Sequence, residues 1–219
     1  IVTTLRQAQG EFPEIQEIQV AGAGFINFYL SRKFFSGSIE EILNKGNDVG
    51  TNDTLSGKKI MVEYTQPNPF KPFHIGHLMS NAIGESISRI VEHSGAKVSR
   101  ANYQGDVGLH VARAIYGLLK DTRLQSKAGT HNEQAINIGN AYVLGSQAYE
   151  ESGSAKKEID EINKKVYSRS DEEVNQIYDW GFKVTMEAFE DIYDMLGTQF
   201  DYYFLESKMA AVGIQTVRE

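Results

Sequence analysis

The sequence predicts an α/β fold: part of a parallel-sheet domain with a helical block, preceded by the remainder of a small α+β domain. Three observations predict it. Residues 60–120 run strand, loop, helix, strand, loop, helix. Residues 132–197 carry apolar side chains at spacings of three and four. The first 46 residues hold two β-rich runs around a glycine turn and a short helical stretch, then give way to a polar segment.

In chain order, Glu14 to Val20 and Phe25 to Leu30 alternate as strands around Ala21-Gly22-Ala23-Gly24, which reads as a hairpin. Ser38-Ile39-Glu40-Glu41 has the spacing of a capping box, so a helix is expected to start at Ser38 and stop at Asn44–Gly46. Gly46 to Gly57 is rich in Gly, Asn and Asp, and a domain boundary is expected there, dividing 1–46 from 47–219. Ile60 to Tyr64 reads as a short buried strand. Pro67, Pro69 and Pro72 keep the following segment out of helix. Met79, Ile83, Ile87, Ile90 and Val91 then mark a helix that ends near Ser94-Gly95. Lys97 to Tyr103 reads as a second strand, Gly105-Asp106-Val107-Gly108 as a tight loop and Leu109 to Lys120 as a helix. Two strands joined through a helix make a parallel crossover unit, and ligands of such folds bind at the carboxyl ends of the strands. The loops at 66–77 and 104–108 are therefore expected to converge on one crevice. Residues 132–197 read as mostly helical, with Ile136, Tyr142 and Leu144, then Ile159, Ile162 and Val166, then Val174 to Leu196 as apolar stripes. Phe200 to Leu205 reads as a strand followed by a helix start at Glu206-Ser207.

A chain of 219 residues with 41% hydrophobic residues can bury a sizeable core. Its net charge of −7 excludes a global basic surface, so any RNA contact must come from a local patch. The absence of cysteine removes disulfides, thiolate zinc sites and cysteine nucleophiles. Cytosolic residence is the default expectation. No apolar stretch is long enough to span a bilayer, and Ile1-Val2-Thr3-Thr4-Leu5-Arg6 is no signal peptide. The chain lacks an initiator Met and stops inside a helical run, which reads as an excised fragment.

The chemistry concentrates at His74-Ile75-Gly76-His77, which opens a helix after a strand. A helix N-terminus offers unpaired N–H groups and partial positive charge, and so attracts phosphate. Histidines there can donate to phosphate oxygens, Gly76 leaves room for a flat adenine ring, and Lys71 adds a cation. Glu63, at the strand end, and Asn68, just beyond it, suit a cationic or amino-bearing substrate. Each residue has a plainer alternative. A His-x-x-His pair also suits zinc, although no third ligand cluster accompanies it. Lys71 could be a solvated lysine, and Asn68 and Asp106 could be turn residues. His93, His110 and His131 show no partner spacing and read as structural or exposed.

Taken whole, Val62-Glu63-Tyr64-Thr65-Gln66-Pro67-Asn68-Pro69-Phe70-Lys71-Pro72-Phe73-His74-Ile75-Gly76-His77-Leu78 resembles the signature of class I aminoacyl-tRNA synthetases, and among them the arginyl-tRNA synthetases. Ala82-Ile83-Gly84-Glu85, the run Val98 to Gly108 and Phe200 to Ser207 resemble further segments of that family. Gly24 to Leu30 resembles the end of its N-terminal tRNA-contacting domain. The resemblance implies a Rossmann-like catalytic domain that activates arginine with ATP and passes it to tRNA(Arg), with Mg2+ expected alongside ATP and tRNA needed for activation. It implies that His74 and His77 bind ATP phosphates and stabilise the transition state, that Gly76 accommodates adenine, and that Lys71 stands in for a signature lysine. Glu63, Asn68 and, with less force, Asp106 would contact arginine. No dedicated metal site is expected, no membrane partner, and a monomer is the working expectation.

Two departures stand out. Gln66 and Val107 replace the family's usual residues, and no Lys-Met-Ser-Lys-like loop is present. The 219 residues are thus expected to carry half of a split active site and to be inactive alone. Two other classes compete: a small-molecule nucleotidyltransferase with a similar His-x-Gly-His, and a non-catalytic RNA-binding paralogue. Glu63, Pro67 and Asn68 speak against the first; intact His74, His77 and Lys71 speak against the second.

Overall fold

Glycine makes the first turn. Gly22 and Gly24 adopt positive φ of 55° and 107°, which lets β1 (Ile15–Ala21) fold back antiparallel on β2 (Phe25–Leu30). This comes from a computed structural model that describes residues 12–219, so the start at Ile1–Arg6 lies outside the described residues. The chain divides into two compact units, 1–52 and 53–219.

In the first unit the hairpin leads into α1 (Arg32–Lys45). The helix starts earlier than the Ser38–Glu41 pattern predicts. Ser31 is extended, at φ −75° and ψ 159°, and its hydroxyl accepts the Phe34 N–H at 3.3 Å. Ser38 therefore lies inside a helix that already has its cap. The end falls as expected, at Gly46 with φ +53°.

The second unit holds a parallel three-stranded sheet in the order β3-β4-β5, formed by Lys59–Glu63, Lys97–Gln104 and Tyr202–Leu205. Between β3 and β4 runs α2 (Ile75–His93). Its sheet-facing side is not the predicted one. Asn81, Gly84, Glu85 and Ser88 are buried, whereas Met79, Ile83, Ile87 and Ile90 are exposed. The inner face is made for close approach: a Cβ on Gly84 would lie 2.2 Å from the Tyr64 ring. It is also polar because it is paired. Arg100 of β4 bridges Glu85 at 3.0 Å and Glu92 at 2.9 Å, and the Tyr64 hydroxyl donates to Glu85.

After β4 come α3 (Leu109–Lys120), α4 (His131–Glu151), α5 (Gly153–Ser168) and α6 (Glu172–Leu196). Val111, Ile115 and Leu118 of α3, Ile138 of α4 and Ile159 of α5 are fully or almost fully buried and form one core. On α4 the expected Ile136 points out; the helix packs instead through Ile138, Gly139, Ala141 and Gly145. The α3–α4 crossing is tight enough to require glycine. A Cβ on Gly117 would meet the Ala141 carbonyl at 2.0 Å, and one on Gly145 the Arg113 carbonyl at 1.9 Å. Past α6 the chain enters β5 and then α7 (Glu206–Arg218). Among the described residues no helix is long and apolar enough to cross a membrane.

Candidate functional site

Each strand of the sheet delivers a polar group at its carboxyl end. Glu63 closes β3 and is exposed, its carboxylate paired with the Gln66 amide. The chain then turns through Thr65 and Gln66 at φ of 71° and 53°, and again through Phe70 at 64°. Non-glycine residues in this left-handed region cost about 1–3 kcal/mol each, so the loop has to be held from outside. Two anchors hold it. The Thr65 N–H donates to Ser80 Oγ at 3.1 Å, and its hydroxyl accepts from Asn81 Nδ2 at 3.0 Å. Phe70 is fully buried against Tyr178, ring centres 5.8 Å apart, where a Cβ on Gly181 would come within 2.4 Å of it. Asn68 is carried between the anchors and flanked by Pro67 and Pro69.

The two histidines cap their own helix. His74 Nδ1 accepts the Gly76 N–H at 3.1 Å, and His77 Nδ1 accepts the His74 N–H at 3.3 Å. An accepting Nδ1 leaves the proton of the neutral ring on Nε2, so both imidazoles are set as Nε2–H donors. The rings stack, centres 3.8 Å apart. Burial, then the neighbouring His74 and Lys71, lowers the His77 pKa to about 4, so this ring is neutral at pH 7 and works as a hydrogen-bond donor. Gly76 has an immediate local reason to be glycine, because a Cβ would stand 3.0 Å from His74 Cε1. Lys71 Nζ lies 5.1 Å from the centre of the Tyr142 ring.

The loop after β4 meets this one directly: the Gly105 N–H donates to Asn68 Oδ1 at 3.0 Å. The two loops therefore form one crevice, as their positions at strand ends predict. Asp106 takes a different place from the one expected. It is buried, and its oxygens accept from the Ser207 N–H at 2.8 Å, the Ser207 hydroxyl at 2.6 Å and the Tyr178 hydroxyl at 3.0 Å. With both oxygens engaged by protein donors, Asp106 braces β4 against α6 and α7.

Sequence reasoning missed Glu206. It begins α7 at the carboxyl end of β5, and its Oε2 lies 3.0 Å from where a Gly105 Cβ would be. The Tyr103 hydroxyl has its pKa raised by desolvation and by the carboxylates of Glu206, Asp106 and Glu63. Glu206 could have been found from its position, as the first residue after the third predicted strand. The crevice thus combines imidazole N–H donors and an ammonium at one end with two carboxylates and an amide at the strand ends. That arrangement suits phosphate beside a cationic ligand. Among the described residues no group of three or more His, Cys, Asp or Glu is placed to hold a metal.

Comparison with known proteins shows the family of this chain. The family described as "tRNA synthetases class I (R), catalytic domain" matches residues 38–207. The arginine–tRNA ligase of Borreliella burgdorferi is 31% identical over 204 residues, covering 93% of this chain and 34% of its own length. That of Thermococcus sibiricus is 33% identical over 192 residues, covering 82% of this chain and 29% of its own length. The chain spans about a third of the length of the curated relatives it matches. Among solved structures, the arginyl-tRNA synthetase of Thermus thermophilus superposes with a TM-score of 0.62 at 24% identity, over 91% of this chain and 31% of that one. The Plasmodium falciparum enzyme gives 0.52 at 20%, over 94% and 36%. These likenesses show a shared fold.

Proposed function

The chain belongs to the class I tRNA synthetases (R), whose catalytic-domain family matches residues 38–207, and from that premise we propose that it forms the ATP- and arginine-binding part of an arginine–tRNA ligase. The observation that carries this reading is the joined crevice. The substrate has two cationic groups and one carboxylate; the crevice offers Glu63 and Glu206 to the cations and the Asn68 amide to the carboxylate. ATP lies with its phosphates at the start of α2, where the Nε2–H groups of His74 and His77 donate to oxygens and Lys71 supplies a full positive charge. Adenine lies near Gly76. The arginine carboxylate attacks the α-phosphorus in line. A carboxyl O–P bond forms and the bond to pyrophosphate breaks; a hydroxyl of the terminal ribose of tRNA(Arg) then attacks the arginyl carbonyl, an ester forms, and AMP leaves as the acyl–phosphate bond breaks. Catalysis comes from positioning and from donors already aimed at developing charge. Magnesium enters with the nucleotide, because the chain offers it no ligand cluster among the described residues. We place the protein in the cytoplasm as a monomer with no membrane partner.

The test is ATP–pyrophosphate exchange by the complete natural polypeptide that carries these residues. Exchange is expected only with arginine and tRNA both present. Exchange driven by another amino acid would overturn the assignment. These 219 residues alone are expected to fold without turnover, and aminoacylation by them would refute the split-site reading.

A further inference from the structure

His110 is the second residue of α3 and has no place in the chemistry above, yet it reaches back into the crevice. Its Nε2 lies 2.9 Å from the Gly105 carbonyl oxygen. A carbonyl only accepts, so Nε2 carries the proton and the tautomer of the neutral ring is fixed. Burial, then the nearby Lys71, lowers the His110 pKa, and the Gly105 bond and Asp106 oppose that shift.

Gly105 is held from both sides. His110 holds its C=O, and its N–H donates to Asn68 Oδ1. The space is tight, since a Cβ would lie 3.0 Å from Asn68 Oδ1 and 3.0 Å from Glu206 Oε2 and would push on both side chains. Glycine is also the residue whose backbone rotates most freely, so its orientation here depends on outside bonds. His110 supplies the bond on the carbonyl side. The consequence reaches Asn68. With Oδ1 directed at Gly105, the amide turns its N–H2 towards a ligand, which favours an acceptor such as a carboxylate over an ammonium.

We propose that His110 is a positioning residue for the amino-acid carboxylate: through Gly105 it fixes the Asn68 amide with its N–H2 as the substrate-facing group. His110 touches no substrate. The inference rests on the reading of this crevice as the amino-acid site. It goes beyond the sequence expectation for His110, which read the residue as structural or exposed.

The experiment is a double-mutant cycle in the complete polypeptide, read by arginine-dependent exchange with tRNA present. His110→Ala is expected to lower kcat/KM for arginine about tenfold while KM for ATP stays within about twofold. His110→Gln, whose Nε2–H2 can reach the same carbonyl, restores kcat/KM to within about threefold of wild type. In an Asn68→Ala background, His110→Ala adds less than about twofold, because the path it acts through is gone. A full tenfold loss in that background, equal losses for arginine and ATP, or no rescue by glutamine would each overturn the proposal. A readout independent of the reaction separates its failure from that of the functional reading. 15N NMR of the wild-type chain is expected to show His110 protonated on Nε2, and the Asn68 side-chain amide signals are expected to shift in His110→Ala. A ring protonated on Nδ1 alone, or unmoved Asn68 signals, sinks the relay whatever amino acid is activated.

Discussion

The two loops that meet at Asn68 and Gly105 are built on opposite plans. Residues 104–108 turn their polar groups inward: Asp106 binds Ser207 and Tyr178, and His110 holds the Gly105 carbonyl. Residues 65–77 place three non-glycine residues at positive φ and keep the outer nitrogens of His74 and His77 out of those internal bonds. A loop that offers donors to a ligand cannot satisfy them internally, so its shape has to be imposed by buried anchors. The bracing loop, by contrast, holds no non-glycine residue at positive φ. On the function proposed above, the difference separates residues that serve the ligand from residues that serve the fold, although both kinds stand at strand ends.

The largest effects should come from the anchors. Phe70→Ala removes the plug that seats the strained loop, and should cost about 3–5 kcal/mol in urea unfolding. A loss below about 1 kcal/mol would mean that the loop is not held from the helical core. Asp106→Ala strands three donors and should cost about 2–4 kcal/mol, with Asp106→Asn costing less because one acceptor remains. Neutrality of the alanine variant would break the bracing role and return Asp106 to the ligand.

On the ligand side the expected signature is reversed. His77→Ala removes one Nε2–H donor and should lower the rate of adenylate formation about a hundredfold in the complete polypeptide, while arginine affinity changes little. Weaker arginine binding with an unchanged rate would take His77 away from phosphate.

Legibility in the sequence follows the same divide. The strand-end loops and α3 could be read because periodicity and glycine are local signals, and α3 spans the predicted residues. The face of α2 could not. An isoleucine stripe marks an apolar side, but Gly84 and the Glu85–Arg100 pair decide which side meets the sheet, and Arg100 is 15 residues away. Ser38 imitated a cap because the pattern does not record that Ser31 has already started the helix. Glu63, Asn68, Lys71, His74 and His77 were legible as a continuous motif. Asp106 was legible as special but not in its role, because its partner Ser207 is 101 residues further on. Glu206 was passed over although its position after the third strand marked it, and the place of His110 depends on Asn68, which the fold brings to Gly105 from 37 residues away.

The smallest effect is the most direct probe of how the histidine pair is held. His77 titrates near 4 in the folded chain against an ordinary value of 6.5, since burial, His74 and Lys71 all disfavour its charged form. The sign follows from linkage. Between those two values the unfolded chain binds a proton that the folded chain refuses, so folding loses stability as pH falls from about 6.5 towards 4. Above that window the ring is neutral in both states and contributes no slope. Wild type should therefore lose stability relative to His77→Gln across this interval and run parallel to it above, in urea unfolding followed pH by pH. Parallel curves throughout would mean that His77 charges as freely as a solvated imidazole. Its role as a neutral donor, and with it the contrast between a loop prepared for anions and a loop closed on itself, would then fail at pH 6.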